Sequence, residues 1–197
     1  MTKICLVRHG ETDWNLHERL QGATDVPLNE RGHAQARTVA AYLAREPWDY
    51  LYASPLGRAY DTASIIAKET GISDIRTDDR LKERSFGALE GLELSVYREH
   101  YQDLPVVEGR ETWEEVQKRG MEAVEEMVQS HPDRRILVVA HGGLISSILR
   151  VISDGELGPK RPKLKNASMN LLIHNGSWHI EWYNRVTPEL EAVSRLD

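Results

Sequence analysis

The chain has 197 residues, of which 40% are apolar and 28% charged, and this composition is typical of a globular protein long enough for one α/β domain. The net charge of −6 disfavours nonspecific binding to nucleic acid, and no run of about 18 apolar residues occurs that would span a membrane. The only cysteine, Cys5, excludes an internal disulfide. We therefore expect a single domain over residues 1–197, in a cytoplasmic protein that binds neither nucleic acid nor membrane.

The first half of the chain alternates strand and helix patterns. The predicted elements are a strand at Ile4–Val7, a helix from about Glu30 to Arg45, a strand at Tyr50–Ala53, a helix reaching about Thr70 and a short strand at Asp74–Thr77. Ser54 is the expected N-cap of the second helix, with Pro55 as its first helical residue. The stretch from Leu81 to Pro105 is the least regular and is a candidate cover for a site.

The second half continues the alternation and ends in a hairpin. It predicts a helix at Glu111–Ser130 capped by Thr112, a buried strand at Arg135–Ala140, a helix at Leu144–Val151, and strands at Asn170–His174 and Trp178–Tyr183 joined by Asn175-Gly176. The basic loop from Gly155 to Lys165 is a second candidate cover. The pattern predicts a three-layer αβα sandwich with a mostly parallel central sheet and a C-terminal hairpin.

Polar residues follow directly on three predicted strands. Arg8-His9-Gly10 follows the first strand, Arg58 lies shortly after the second, and His141-Gly142-Gly143 follows the late buried strand. Ligands of open α/β sheets bind just outside the carboxyl ends of the strands. A phosphoryl group in transfer needs several cationic donors, and guanidinium groups bind its oxygens in a bidentate way. These strand ends therefore predict a phosphoryl-transfer site with a nucleophilic histidine.

Further spaced motifs accompany these residues along most of the chain. They include Arg8-His9-Gly10-Glu11-Thr12, Asn15, Gln21-Gly22, Ser54-Pro55, Arg58-Ala59, Thr62-Ala63, Glu83, Phe86-Gly87, Glu90-Gly91 and His141-Gly142. In this set the chain resembles the histidine phosphatase superfamily, the phosphoglycerate mutase-like family. The resemblance implies a hydrolase that acts on a small phosphorylated metabolite through a phosphohistidine. It implies no cofactor and no metal ligand, because arginines and a second histidine supply the positive charge.

The resemblance also implies a role for individual residues. His9 is the expected nucleophile, Glu83 is the expected proton donor that later activates water, and the phosphoryl group is bound by Arg8, Arg58 and His141. On the substrate side we expect Asn15, Gln21, Gly22 and Gly142. Many relatives have Gly-Glu-Ser where this chain has Arg110-Glu111-Thr112, so Arg110 is a further candidate for the substrate pocket.

Three other hypotheses remain open at this point. A 2,3-bisphosphoglycerate-dependent phosphoglycerate mutase is the alternative within the family, but the interval from Gly91 to Glu111 is short, acidic and without an adjacent arginine pair. A noncatalytic phosphoprotein-binding module is disfavoured by the complete set of catalytic residues. A nucleotide-binding protein that uses Gly142-Gly143 as its phosphate loop lacks any G-x-G-x-x-G or Walker pattern. The sequence does not distinguish a monomer from a homodimer.

Overall fold

A six-stranded sheet of order β3-β2-β4-β1-β5-β6 forms the centre of the molecule. The computed structural model describes residues 1–158 and 163–193. The strands are β1 (Thr2–Arg8), β2 (Tyr50–Ala53), β3 (Ile75–Thr77), β4 (Arg135–Ala140), β5 (Met169–His174) and β6 (Trp178–Arg185). The first four run parallel, whereas β5 is antiparallel to β1 and β6 to β5. The predicted mostly parallel sheet, extended at one edge by a C-terminal hairpin, is confirmed.

Helices cover both faces of this sheet. They are α1 (Asp13–Leu16), α2 (Glu30–Leu43), α3 (Gly57–Thr70), α4 (Leu94–His100), α5 (Trp113–Ser130), α6 (Gly142–Ile152) and α7 (Pro188–Val193). Alternate residues of β1 face the two helical layers. Cys5 and Val7 pack against α2 and α3, whereas Ile4 and Leu6 pack against α5 and α6. Since both faces are buried, a ligand reaches the central strands from their ends.

Helix α3 begins at Gly57, two residues beyond Pro55, so the predicted Ser54 cap and Pro55 start are wrong. The N-cap is Leu56, whose backbone is extended and which makes no side-chain capping bond. The Ser54 hydroxyl instead accepts from Leu56 N (3.3 Å) and lies 2.7 Å from His141 Nε2. The Ser54 hydroxyl, which the local sequence assigns to the cap of α3, is therefore hydrogen-bonded to the buried His141 at the end of the neighbouring strand. The predicted Thr112 cap of α5 is confirmed, and Glu115 completes a capping box with it.

The irregular stretch after β3 contains structure that the sequence did not predict. It forms two one-turn 3₁₀-helices (Asp79–Leu81 and Gly87–Leu89) and the helix α4. It also builds a small apolar cluster around Leu20, Leu89 and Tyr97. Of the second predicted cover, residues 159–162 lie outside the described residues. Within the described ranges, no helix is long and apolar enough to cross a bilayer.

Candidate active site

The ends of β1 and β4 bring two histidines together. Arg8 and Ala140 are paired across these adjacent parallel strands, so the residues that follow them, His9 and His141, leave the sheet at the same edge. Their ring centroids are 5.2 Å apart, and both side chains are almost completely buried. His9 N also donates to Ala140 O (3.0 Å), which fixes the backbone of the first histidine against the second strand end.

The ring of His9 has one tautomer that fits its surroundings. Its Nδ1 lies 2.6 Å from Gly10 O, and because a carbonyl only accepts hydrogen bonds, Nδ1 carries the proton. Burial, together with the charges of Arg58 and Arg8, lowers the pKa of His9 well below its ordinary value. The imidazole is therefore neutral at physiological pH, and its Nε2 lone pair is available as a nucleophile.

Two buried arginines lie beside this ring and are anchored by backbone carbonyls. Arg58, which is fully buried, donates to Thr24 O and Gly22 O (both 2.8 Å), and Arg8 donates to Leu164 O (2.5 Å). Burial lowers the pKa of Arg8 to about 10, so its guanidinium remains charged at neutral pH. The Nε atoms of Arg8 and Arg58 have no hydrogen-bond partner among the described residues.

His141 provides a third donor without a partner. The Ser54 hydroxyl accepts from Leu56 N and has its own proton to donate to His141 Nε2, and we assign the ring proton to Nδ1 on this basis. Burial and the charge of Arg58 lower the pKa of His141 well below its ordinary value. The described parts of the chain contain six buried side-chain N or O atoms without a hydrogen-bond partner. Three of the six are His141 Nδ1 and the Nε atoms of Arg8 and Arg58.

Such buried donors are rare because an unmade hydrogen bond is costly. The three donors belong to side chains that lie close to one another and to the His9 ring, and such an arrangement can hold an oxyanion. In the part of the chain that the structure describes, no group of three or more His, Cys, Asp or Glu side chains is arranged to hold a metal ion. Independence from metal stays a prediction.

Glu83 approaches this cluster from the loop between the two 3₁₀-helices. Its carboxylate accepts from the backbone amides of Arg84 (2.8 Å), Gly143 (2.9 Å) and Leu144 (3.1 Å). The last two belong to the first turn of α6, directly after His141. A Cβ at Gly143 would lie 2.5 Å from Glu83 Oε1, so the absence of a side chain there admits the carboxylate. The structure therefore places a carboxyl group beside the cationic cluster.

Gly22 and Gly142 contact the arginines of this cluster directly, whereas Asn15 and Gln21 are hydrogen-bonded to residues near it. Asn15 Oδ1 accepts from Asn166 Nδ2 (3.0 Å), and Gln21 Oε1 accepts from the Thr12 hydroxyl (2.9 Å). Gly22 contributes its carbonyl to Arg58, as described above. A Cβ on Gly142 would lie 3.2 Å from Arg8 Nε, so glycine there keeps the guanidinium close to the helix start.

The described hydrogen bonds of the Arg110 side chain are with the chain after α4, and its predicted place in the substrate pocket stays a prediction. Its guanidinium donates to Tyr101 O (2.9 Å) and to Leu104 O, both in the segment that follows α4. No described hydrogen bond joins it to the cluster of Arg8, Arg58 and His141. Its contacts are those of a residue that holds the chain after α4 in place.

The sequence analysis did not identify two residues, both far from His9 in the sequence, whose side chains hold the backbone of His9 and Gly10. Asn166 Nδ2 donates to His9 O (3.1 Å) and Gly10 O (3.2 Å) as well as to Asn15, and Thr62 Oγ1 accepts from Gly10 N (3.2 Å). Asn166 lies far along the chain from His9 and in an irregular loop, where no periodicity or motif marks it. Thr62 belongs to a Thr-Ala pair that the resemblance included, although without a role.

Comparisons with known proteins agree with this geometry. The profile of the histidine phosphatase superfamily (branch 1) matches residues 4–186. An uncharacterized phosphatase, PhoE, of Bacillus subtilis is 40% identical over 185 residues, which cover 93% of this chain and 95% of that protein. A metal-independent phosphoserine phosphatase of Arabidopsis thaliana is 35% identical over 210 residues, covering 100% and 86%. A solved mycobacterial glucosyl-3-phosphoglycerate phosphatase in complex with VO3 superimposes with a TM-score of 0.83 at 31% identity, covering 92% of this chain and 98% of that one.

Proposed function

Since this chain belongs to branch 1 of the histidine phosphatase superfamily and is a phosphomonoesterase, we propose that His9 is the nucleophile of its reaction. The observation that carries the proposal is the set of three buried donors without partners beside the neutral His9 ring. These donors match the charge that develops on the three equatorial oxygens of a phosphoryl group in transfer.

In the first step, the Nε2 lone pair of His9 attacks phosphorus and the bond from phosphorus to the ester oxygen breaks. Arg8, Arg58 and His141 hold the phosphoryl oxygens, and Glu83 gives its proton to the departing alcohol. The products of this step are a phosphohistidine, a free alcohol and a Glu83 carboxylate. The fixed Nδ1–Gly10 hydrogen bond supports the role of His9, because it directs the other ring nitrogen to the reaction.

In the second step, water attacks the phosphohistidine. The Glu83 carboxylate takes a proton from that water, the bond from nitrogen to phosphorus breaks, and inorganic phosphate leaves. His9 returns to its neutral form and Glu83 to its protonated form, so atoms and protons balance over the cycle. The position of Glu83 beside the start of α6, next to His141, supports this double use of one carboxyl group.

The substrate we propose is a small phosphorylated metabolite. Relatives of this chain carry the names of phosphoserine phosphatase and glucosyl-3-phosphoglycerate phosphatase, which supports a small phosphate ester over a macromolecule. The mutase alternative uses the same nucleophile. It is less favoured, because a mutase must retain a doubly charged intermediate and exclude water, and the acidic interval before Glu111 offers few cations for that purpose.

Replacement of Glu83 by Gln tests the proposed proton transfer. We expect Glu83→Gln to lower kcat/KM for alkyl phosphates by about 10²–10⁴-fold, the usual contribution of general acid catalysis. The kcat/KM of an aryl ester should fall much less, because its phenolate departs without a proton and the attack of water on the phosphohistidine comes after that departure. The ratio of the two losses isolates proton transfer from any disturbance of the amide contacts. The assay measures phosphate release in excess chelator, and complete, reversible loss of activity on adding chelator would contradict metal independence.

Glu90→Gln is the matched control. Glu90 also accepts backbone amides, those of Ala23 (2.9 Å), Thr24 (2.8 Å) and Phe86 (3.0 Å), but it supports the chain next to Arg58. Its loss should affect alkyl and aryl esters equally. Equal losses for both esters in Glu83→Gln would remove Glu83 as the proton donor. Faster phosphoglycerate interconversion than phosphate release by the unmodified protein would favour the mutase.

A further inference from the structure

Glu111, just before α5, and Arg119, in the second turn of α5, hold the backbone on both sides of Glu83. We propose that Arg119, paired with Glu111, is a positioning residue that sets where the Glu83 carboxyl group delivers its proton. The inference rests on the proposed role of Glu83 and adds a residue that touches neither the substrate nor the reacting atoms.

On the side that precedes Glu83, Arg119 binds three backbone carbonyls within residues 80–83. Its Nη1 donates to Arg80 O (2.7 Å) and Lys82 O (2.6 Å), and its Nη2 donates to Glu83 O (3.1 Å). One guanidinium group therefore fixes the carbonyl of the proton donor itself and two carbonyls just before it. A lysine ammonium in this place has no planar fork with which to reach all three.

On the side that follows Glu83, Glu111 makes the corresponding contacts. Its Oε2 accepts from Ser85 N (2.8 Å), its backbone carbonyl accepts from Arg84 Nε (2.8 Å), and its backbone N donates to Ser85 O (3.0 Å). The two clamping residues also join each other, because Arg119 Nε and Nη2 donate to the two Glu111 carboxylate oxygens (2.8 and 2.9 Å). Both side chains are largely removed from solvent, with exposures of 17% and 27%.

The loop needs this clamp because regular structure does not hold it. Glu83 lies between two one-turn 3₁₀-helices and belongs to no strand, so no ladder of hydrogen bonds fixes its backbone. Its carboxylate oxygens meet the first turn of α6, and a small shift of the loop moves them relative to the ester oxygen. A misplacement of about 1 Å in a catalytic group can cost about 10²-fold in rate. The clamp therefore acts on proton delivery more than on phosphate binding.

The test compares alkyl and aryl phosphates in Arg119→Lys and Arg119→Gln. We expect kcat/KM for the alkyl ester to fall by about 10²-fold while the aryl ester keeps most of its kcat/KM, because this constant reports the steps up to release of the alcohol and not the later attack of water. Arg80→Lys is the matched control, because the Arg80 side chain pairs with Asp78 and Glu126 at the same junction but does not touch the backbone of residues 82–85. It should leave the ratio of alkyl to aryl rates unchanged.

A double variant separates positioning from a purely structural role. In the Glu83→Gln background, Arg119→Lys should cause little further loss with the alkyl ester, because the proton that it positions is already gone. Equal losses for the two esters, or a full additional loss in the double variant, would overturn the inference. If the Arg119 variants do not fold, Glu111→Gln is judged by the same ratio and the same double variant.

A separate measurement distinguishes failure of this inference from failure of the proposed nucleophile. Phosphorylation of His9 by the aryl ester, followed in a single turnover, should persist in Arg119→Lys. If the unmodified protein itself forms no phosphohistidine, the proposed function fails. If phosphohistidine forms but the ratio of alkyl to aryl rates does not change in the Arg119 variants, only the positioning inference fails.

Discussion

At the scale of single residues, the cost of burial explains why the site is reactive. Arg8, Arg58 and His141 each keep a buried N–H without a partner among the described residues, although each also has another nitrogen held by the protein. The held nitrogens fix the orientation of each group, and in the proposed reaction the free ones donate to the phosphoryl oxygens. Because the donors are set before substrate arrives, little reorganisation is needed during reaction.

The Ser54 hydroxyl should determine which His141 nitrogen carries the proton. In Ser54→Ala, Nε2 loses its partner and Nδ1 no longer has a fixed proton to donate. We expect kcat/KM to fall about fivefold for alkyl and aryl esters alike, since one neutral hydrogen bond contributes about 1 kcal/mol and phosphoryl binding serves both. Steady-state kinetics measure the change. Ser64→Ala, which removes a partly exposed hydroxyl bound to Tyr60 O on α3, should have no effect.

The two histidines and two arginines could be predicted because each lies in a local motif at or near a strand end. The support for these residues could not. Ser54 resembled a helix cap, and its true partner is on another strand, while Asn166 and Arg119 act on residues far away in the sequence. The place of Arg110 beside a known motif suggested the pocket, and its described contacts are with the chain after α4.

At the scale of elements, the start of α2 packs directly against the chain that leaves β1. A Cβ on Gly32 would lie 2.0 Å from Glu11 O, and one on Gly10 would lie 2.3 Å from Gly32 O. The atoms involved are backbone, so neither clash is relieved by a side-chain rotation. This close approach fixes Gly10, whose carbonyl in turn orients His9.

Gly32→Ala should therefore destabilise the protein. Alanine in place of glycine within a helix usually stabilises by about 0.5–1 kcal/mol, but overpacking of a tight contact costs about 1–3 kcal/mol. We expect a lower midpoint of urea unfolding and a lower kcat from the displaced Gly10. Arg37→Ala, on the exposed side of the same helix, should change neither. An unchanged or raised midpoint in Gly32→Ala would contradict this prediction, because it would show that the two backbone segments can move apart at little cost in free energy.

The sequence predicts most elements because their signals are local. Short apolar runs mark the strands, and Thr112 marks the start of α5. Helix α4 and the 3₁₀-helices are different, because the chain there is short, irregular and held by Glu111, Arg119 and a small apolar cluster. Tertiary contacts determine these elements, and no periodic pattern in the sequence predicts them.

At the scale of the whole molecule, the site makes folding dependent on pH. His9 and His141 are neutral in the folded protein because burial and the nearby arginines lower the pKa of each well below its ordinary value. In the unfolded chain both titrate near the ordinary value of about 6.5. Below that pH the unfolded state binds more protons, so stability falls as the pH decreases and is fully retained above it.

Each neutral histidine should contribute about 1.4 kcal/mol to the loss of unfolding free energy per pH unit below about pH 6.5. His141→Asn removes one of these groups and should reduce that slope by about one proton. Urea unfolding at several pH values, in buffers free of phosphate, measures the slope for both proteins. Identical slopes would mean that His141 takes up a proton in the folded state.

The covalent intermediate on His9 tests the whole account most directly. An aryl phosphate is mixed with the protein, the reaction is stopped rapidly without acid, and mass spectrometry locates any phosphate. We predict one acid-labile phosphate on His9, formed at least as fast as steady-state turnover, and no turnover in His9→Ala. Full turnover without phosphate on His9, or undiminished activity of His9→Ala, would contradict the account.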